Sequence, residues 1–196
     1  MKKLLPLMLC MAILLIAGAL VSAITYQTMQ NPDNGNWKGY EKEWAIVDSL
    51  EGQGLPASAL KAAEAIYVYA KTDKNDEQIV KAIIHKAKYT SMVEENEQIK
   101  AIHLFQEEIE TSSGVIKSVL QSMTAEIYWN YYTNNRWRFN NRSKTVDFKN
   151  EDISTWDVTT LHQKTYDLYV ASIANREELK KVKTTRYNEI LLKGDE

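Results

Sequence analysis

The sequence predicts an all-α fold: an array of antiparallel helical hairpins, of α-solenoid or tetratricopeptide-like kind, preceded by a signal peptide. Three observations predict it. Apolar residues recur at helical spacing through most of positions 37–196. Turn-forming residues gather in short clusters between those stripes, and no β-rich run separates them. The first twenty-three residues have the layout of an export leader.

Lys2 and Lys3 precede an apolar run from Leu4 to Leu20, which closes on the small-residue exit Val21-Ser22-Ala23. Cleavage is expected before Ile24. An uncleaved anchor is the alternative, but a run of about seventeen apolar residues is at the short limit for spanning a bilayer. In either case the lysines stay inside and the remainder crosses, so the working part is expected in the periplasm or cell envelope, or outside the cell. Contact with the membrane is expected only through an uncleaved leader. Residues 24–36, centred on Asn31-Pro32-Asp33-Asn34-Gly35, read as a flexible spacer, and residues 37–196 as the helical module.

Within that module the stripes follow one another. Tyr40, Trp44, Val47 and Leu50 form the first, and Gly52 and Gly54 end it. Pro56 suits the first turn of a second helix, whose inner face is Leu60, Ala63, Ile66, Tyr67 and Ala70. After the polar break at Asp73–Asp76 a third helix carries Ile79, Val80, Ile83, Ile84 and Ala87, and a fourth carries Ile99, Ile102, Phe105 and Ile109. Thr111-Ser112-Ser113-Gly114 is a short turn with a hydroxyl cap, which makes the fourth and fifth helices antiparallel neighbours. The fifth runs through Ile116, Val119, Leu120, Met123, Ile127 and Tyr131 toward Asn134-Asn135. Residues 140–155 lack a stripe. Asp157 then caps a sixth helix bearing Leu161, Thr165, Leu168, Tyr169 and Ile173. Ala59-Leu60, Ala63 and Tyr67 share offsets with Ala101-Ile102, Phe105 and Ile109, which is a repeat signal or a coincidence between two amphipathic helices.

Composition excludes several chemistries. Of the full chain's 24 basic and 26 acidic residues, Lys2 and Lys3 leave with the leader, and the mild acidic excess of the remainder gives no nucleic-acid footprint. Cys10 is the only cysteine and lies in the leader, so the mature chain has no disulfide, thiol nucleophile or thiolate ligand; Leu9 before it argues against lipid attachment. His85, His103 and His162 have no metal-site spacing, and His85 and His103 are expected to face solvent. Glu94, Glu95, Glu97, Glu107, Glu108 and Glu110 read as a solvated charged face. No phosphate loop or nucleophile elbow is present. No cofactor, metal or catalytic residue is expected.

The densest constellation is Tyr128-Trp129, Tyr131-Tyr132, Trp137 and Phe139, interleaved with Arg136, Arg138 and Arg142. Two readings are open. Trp129, Tyr132, Arg136, Trp137, Arg138 and Phe139 form a partner or glycan surface, or else Trp137 and Phe139 fold back over the helix end under cation–π contacts. Asn141-Arg142-Ser143 matches a glycosylation sequon, a pattern of little weight at three residues.

Over about residues 37–194 the chain also resembles the amino-terminal helical region of bacterial alpha-2-macroglobulin family proteins, of the Bacteroides and Flavobacterium type. The resemblance rests on Ala125-Glu126-Ile127-Tyr128-Trp129-Asn130-Tyr131-Tyr132, Asn135-Arg136-Trp137-Arg138-Phe139 and Asp152-Ile153-Ser154-Thr155-Trp156-Asp157. Supporting stretches are Trp44 with Val47-Asp48-Ser49-Leu50, Gly54-Leu55-Pro56-Ala57-Ser58-Ala59-Leu60, and Tyr187-Asn188-Glu189-Ile190-Leu191-Leu192. The resemblance implies an exported protease trap, in which a bait is cut, macroglobulin domains close on the attacker, and in many members a thioester captures it. The thioester motif requires a cysteine that the mature sequence lacks, so no functional residue carries over. The expected role is a non-catalytic interaction or scaffold module of such an envelope inhibitor, truncated or separately encoded, with the remaining trap domains or envelope proteins as partners and target proteases engaged indirectly. A free-standing helical-repeat binder of glycans or peptides is the alternative, and an enzyme is not expected.

Overall fold

The structure, a computed structural model, describes residues 37–93, 97–140 and 152–191, and all secondary structure among them is helical. The expected leader and spacer and the sequon at 141–143 lie outside the described residues. Eight helices follow in order: α1 Tyr40–Gly52, α2 Pro56–Asp73, α3 Asp76–Val93, α4 Glu97–Thr111, α5 Gly114–Asn134, the short α6 Arg136–Asn140, α7 Val158–Ser172 and α8 Arg176–Leu179. Single 3-10 turns occupy Ile153–Thr155 and Thr184–Tyr187.

Local chemistry sets most of these boundaries. Pro56 opens α2, where its missing N–H is not needed. Lys74, at φ 53, closes α2 in the left-handed region, and its N–H and that of Asn75 return to the last carbonyls. The Asp157 carboxylate accepts from the Thr160 N–H at 2.7 Å and so caps α7, as its position before the stripe predicts. The expected hydroxyl cap on α5 does not form. Ser113 makes no side-chain capping bond, while the neighbouring Ser112 hydroxyl donates to the buried Glu108 carboxylate at 3.1 Å.

Each long helix packs mainly on the next in sequence, with α7 laid against α5. Tyr40 at the start of α1 donates to Asp73 at the end of α2. Gln106 and Gln98 of α4 meet Tyr128 and Asn135 in that order, so α4 and α5 run in opposite directions. Glu126 and Tyr132 of α5 meet Tyr169 and His162 of α7, which makes that pair opposed as well.

Three clusters follow one another through the stack. Trp44, Val47, Ala59, Ala63, Ile66, Ala82 and Tyr89 join α1, α2 and α3. The small side chains on α2 let neighbouring backbones come close, and the larger partners fill the space. Ala70, Ile79, Val80, Ile83, Phe105, Ile116 and Leu120 continue the core through α5, with Tyr40 and Tyr67 packed against both clusters. Ile102, Tyr128, Tyr131, Phe139, Ile153, Trp156 and Leu161 complete it under α7, with Ile127 bridging from the second cluster. Each large side chain buried in this way contributes about 1.5–3 kcal/mol. The offsets shared by α2 and α4 are equivalent at Ala63 and Phe105, both buried, and at Tyr67 and Ile109, both half-buried, but not at the first pair. Ala59 is buried and Leu60 half-buried on α2, whereas Ala101 is half-buried and Ile102 buried on α4.

The carboxy-terminal segment returns to α3. Tyr187 is buried and Ile190 packs on the second cluster. Arg186 pairs with Asp76 at 3.1 Å and Glu189 with Lys81 at 2.8 Å. Gln78 donates to Glu189 and accepts from the Trp44 indole at 2.7 Å, so one polar chain links this segment, α3 and α1.

Candidate interaction surface

The aromatic-rich end of α5 divides into core and surface. Phe139 is only 3% exposed and lies against Tyr131 and Tyr132, so it is a packing residue and is unavailable to a ligand. Trp137 is 70% exposed and does not fold back over the helix end. Both open readings were thus partly misassigned, because α6 is a helical turn: residues two apart on it point to opposite sides. Arg136 lies over the Tyr132 ring at 5.8 Å, and Arg138 is half-buried. Trp129 is 42% exposed and meets Tyr132 and His162 at ring distances of 5.5 and 5.6 Å. Of the six residues singled out, Trp129, Tyr132 and Arg136 therefore share one patch, joined by His162 from α7.

That patch continues into a feature the sequence reading did not separate. Helix α7 carries two stripes. Leu161, Thr165, Leu168 and Ser172 face α5, with Thr165 returning its hydroxyl to the Leu161 carbonyl. Tyr166, Tyr169, Val170 and Ile173 are 63, 38, 46 and 49% exposed. Their spacing of three, one and three is that of a single helix face, and His162 stands one turn before Tyr166 on the same line. Tyr169 and Ile173, expected in the core, belong to this outer stripe instead. Tyr169 is fixed by donating its hydroxyl to Glu126 at 2.8 Å, and burial together with that carboxylate pushes its pKa up. Asp167 lies one turn before Val170 on the far edge, bonded by Gln163 at 2.8 Å.

Several ionisable groups elsewhere are bound into packing networks. Glu108, expected on a solvated face, is 4% exposed and accepts from Tyr67 at 2.5 Å, Lys71 at 2.7 Å and Ser112 at 3.1 Å. Burial, followed by the Glu108 bond, raises the Tyr67 pKa. Lys86 lies over the Tyr67 ring at 4.3 Å, and burial lowers its pKa. Tyr89 and Lys88 both donate to Glu51, and these bonds, Lys88 first, hold the Glu51 carboxyl below its ordinary range. His85, expected in solvent, is half-buried against Trp44 with ring centroids 4.6 Å apart. Burial and the cations Lys88 and Lys81 lower its pKa. His103 is exposed as expected.

A cleft of about 620 Å³ opens where α2, α4 and α5 end or begin beneath the carboxy-terminal segment; Lys71, Glu108, Ser112, Gly114, Lys181 and Arg186 are among its walls. Lys71 and Arg186 are committed to Glu108 and Asp76. Among the described residues no group of three or more His, Cys, Asp or Glu side chains is placed to hold a metal ion, and no helix is long and apolar enough to cross a membrane. Comparison with known protein families, curated proteins and solved structures gives no match.

Proposed function

We propose that this chain is an exported, non-catalytic interaction and scaffold module of the cell envelope, built as a solenoid-like array of antiparallel hairpins and serving as the leading helical part of an alpha-2-macroglobulin-like protease trap. The family assignment is supported by the ordered likeness over about residues 37–194. The interaction reading is carried by one observation: the outer stripe of α7, continuous with Trp129, leaves four large apolar side chains uncovered on a single helix face. A contiguous exposed apolar face on a helix whose other side is already in the core is the kind of patch that marks an interaction site. The test uses the exported protein as bait on envelope extracts, beside a Val170→Glu variant. Recovery of a polypeptide with macroglobulin β-sandwich domains by the parent, and its loss with the variant, is the expected result. Recovery by neither, or equally by both, removes the reading.

A second reading is favoured by Trp129, exposed against Tyr132 with Arg136 over the Tyr132 ring, and by the exposed Trp137 that follows Arg136 on α6. This is the geometry of a stacking platform for a sugar or peptide. Oligosaccharide panels that quench tryptophan emission, with quenching lost in Trp137→Ala, support it. Unchanged emission from folded protein rejects it.

A further inference from the structure

The outer stripe of α7 has edges that define what covers it. On the α5 side stands Glu126, whose carboxylate is exposed and touches Tyr169; on the opposite edge stands Asp167, also exposed. Neither carboxylate has an ion pair among the described residues. An apolar stripe of helix pitch therefore runs between two carboxylates that form no ion pair with a described residue and accept only from Tyr169 and Gln163. The four side chains are each 38–63% exposed, and together they make up only part of the roughly 800 Å² that one partner contributes to a standard protein interface. That suits a single helix laid along α7, whether free or projecting from a larger partner. A second copy fits poorly, because its own Glu126 and Asp167 would be brought toward these.

We propose that the outer face of α7 is a docking site for a cationic amphipathic helix of another protein, its apolar i, i+3, i+4, i+7 residues on Tyr166, Tyr169, Val170 and Ile173 and its lysines or arginines beside Glu126 and Asp167. This names the partner chemistry of the interaction module proposed above and rests on that reading. The mode is that of a helix read through its apolar face, with charge at the margins setting choice of partner and orientation.

The probe is a labelled synthetic helix of about eighteen residues, two to three times the length of the stripe, with leucines on one face and lysines on both edges. Its counterpart has glutamates in place of the lysines. Fluorescence anisotropy with the whole protein is expected to show the lysine peptide binding roughly tenfold more tightly than the glutamate peptide. Val170→Glu separates docking from unspecific ionic attraction: it adds negative charge yet is expected to weaken the lysine peptide at least about tenfold, because it places a carboxylate in the apolar seat. Glu126→Lys combined with Asp167→Lys is expected to reverse the preference toward the glutamate peptide. Equal binding of the two peptides, no binding of the lysine peptide, or undiminished binding by Val170→Glu overturns the proposal. So does sedimentation showing a dimer that Val170→Glu dissociates. Recovery of a trap polypeptide from extracts is a separate measurement, so the module reading survives or falls independently.

Discussion

Replacing Glu108 by alanine tests whether the buried polar network between α2, α4 and the α4–α5 turn is structural. The carboxylate has three donors, Tyr67, Lys71 and Ser112, at 2.5, 2.7 and 3.1 Å. Bonds to a charged group contribute about 1.5–3 kcal/mol each, but the carboxylate lost several kcal/mol of hydration on entering the site, and the two nearly offset. What truncation exposes is the cost of the orphaned donors. Lys71 is 36% exposed and turns to water at little cost, whereas the half-buried Tyr67 hydroxyl and the Ser112 hydroxyl lose their acceptor with less access to solvent. The sum is about 2–3 kcal/mol of destabilisation, or about 5–10 °C in Tm for a domain of this size. Urea unfolding followed by circular dichroism measures it. A loss below about 0.5 kcal/mol would mean that the donors find water freely, and the network would not be a structural tie.

Three further outcomes are expected. Phe139→Ala costs about 3–4 kcal/mol because it empties a site between Tyr131 and Tyr132, whereas Trp137→Ala changes stability by less than about 0.5 kcal/mol; chemical denaturation of both variants separates core from surface, and equal effects would contradict the division. The lowered pKa of His85 means that the folded state binds its proton less readily than the unfolded chain. Its stabilising contribution is therefore complete above about pH 6.5 and is lost as pH falls from there toward its folded value, so His85→Gln flattens that upper part of the stability profile while the lower loss from Glu51 remains. Gly114→Ala costs about 1–2 kcal/mol, since φ is +62° and a Cβ would stand 3.0 Å from the Glu178 carboxylate. Adding Glu178→Ala removes the clash but not the backbone strain, so thermal melts should show only partial recovery.

The helices themselves were legible because their cues are local. Gly52, Pro56, the break at Asp73–Asp76 and the Asp157 cap all act within a turn or two, and each boundary falls where those residues place it. Much of the burial on α1 to α3 follows from spacing for the same reason, although the fully buried Ala59, Ala82 and Tyr89 lie outside the stripes read there. What spacing could not give was which side of a doubly apolar helix meets the core. On α7, Leu161 and Leu168 lie on one line and Tyr166 and Val170 on another, and spacing alone does not show that Tyr169 and Ile173 belong to the second. Counting apolar residues on both sides of that helix would have found the second stripe.

Glu108 and His85 were misplaced for a related reason. A polar side chain enters a core when donors or rings from distant segments meet it, and Tyr67 lies 41 residues from Glu108. Phe139 stands in both open readings, as surface and as packing, because its neighbours in sequence do not fix its side; a single helical turn puts it opposite Trp137.

Site-specific photo-cross-linking in the intact cell tests the central claim most directly, with a benzophenone amino acid placed at Tyr166, at Val170, and at the exposed control position Lys61 on α2. The account predicts a discrete adduct from Tyr166 and Val170 and none from Lys61, with the captured peptide being a helix of basic, amphipathic sequence. Adducts equally frequent at all three positions, or absent from the two on α7, would contradict it.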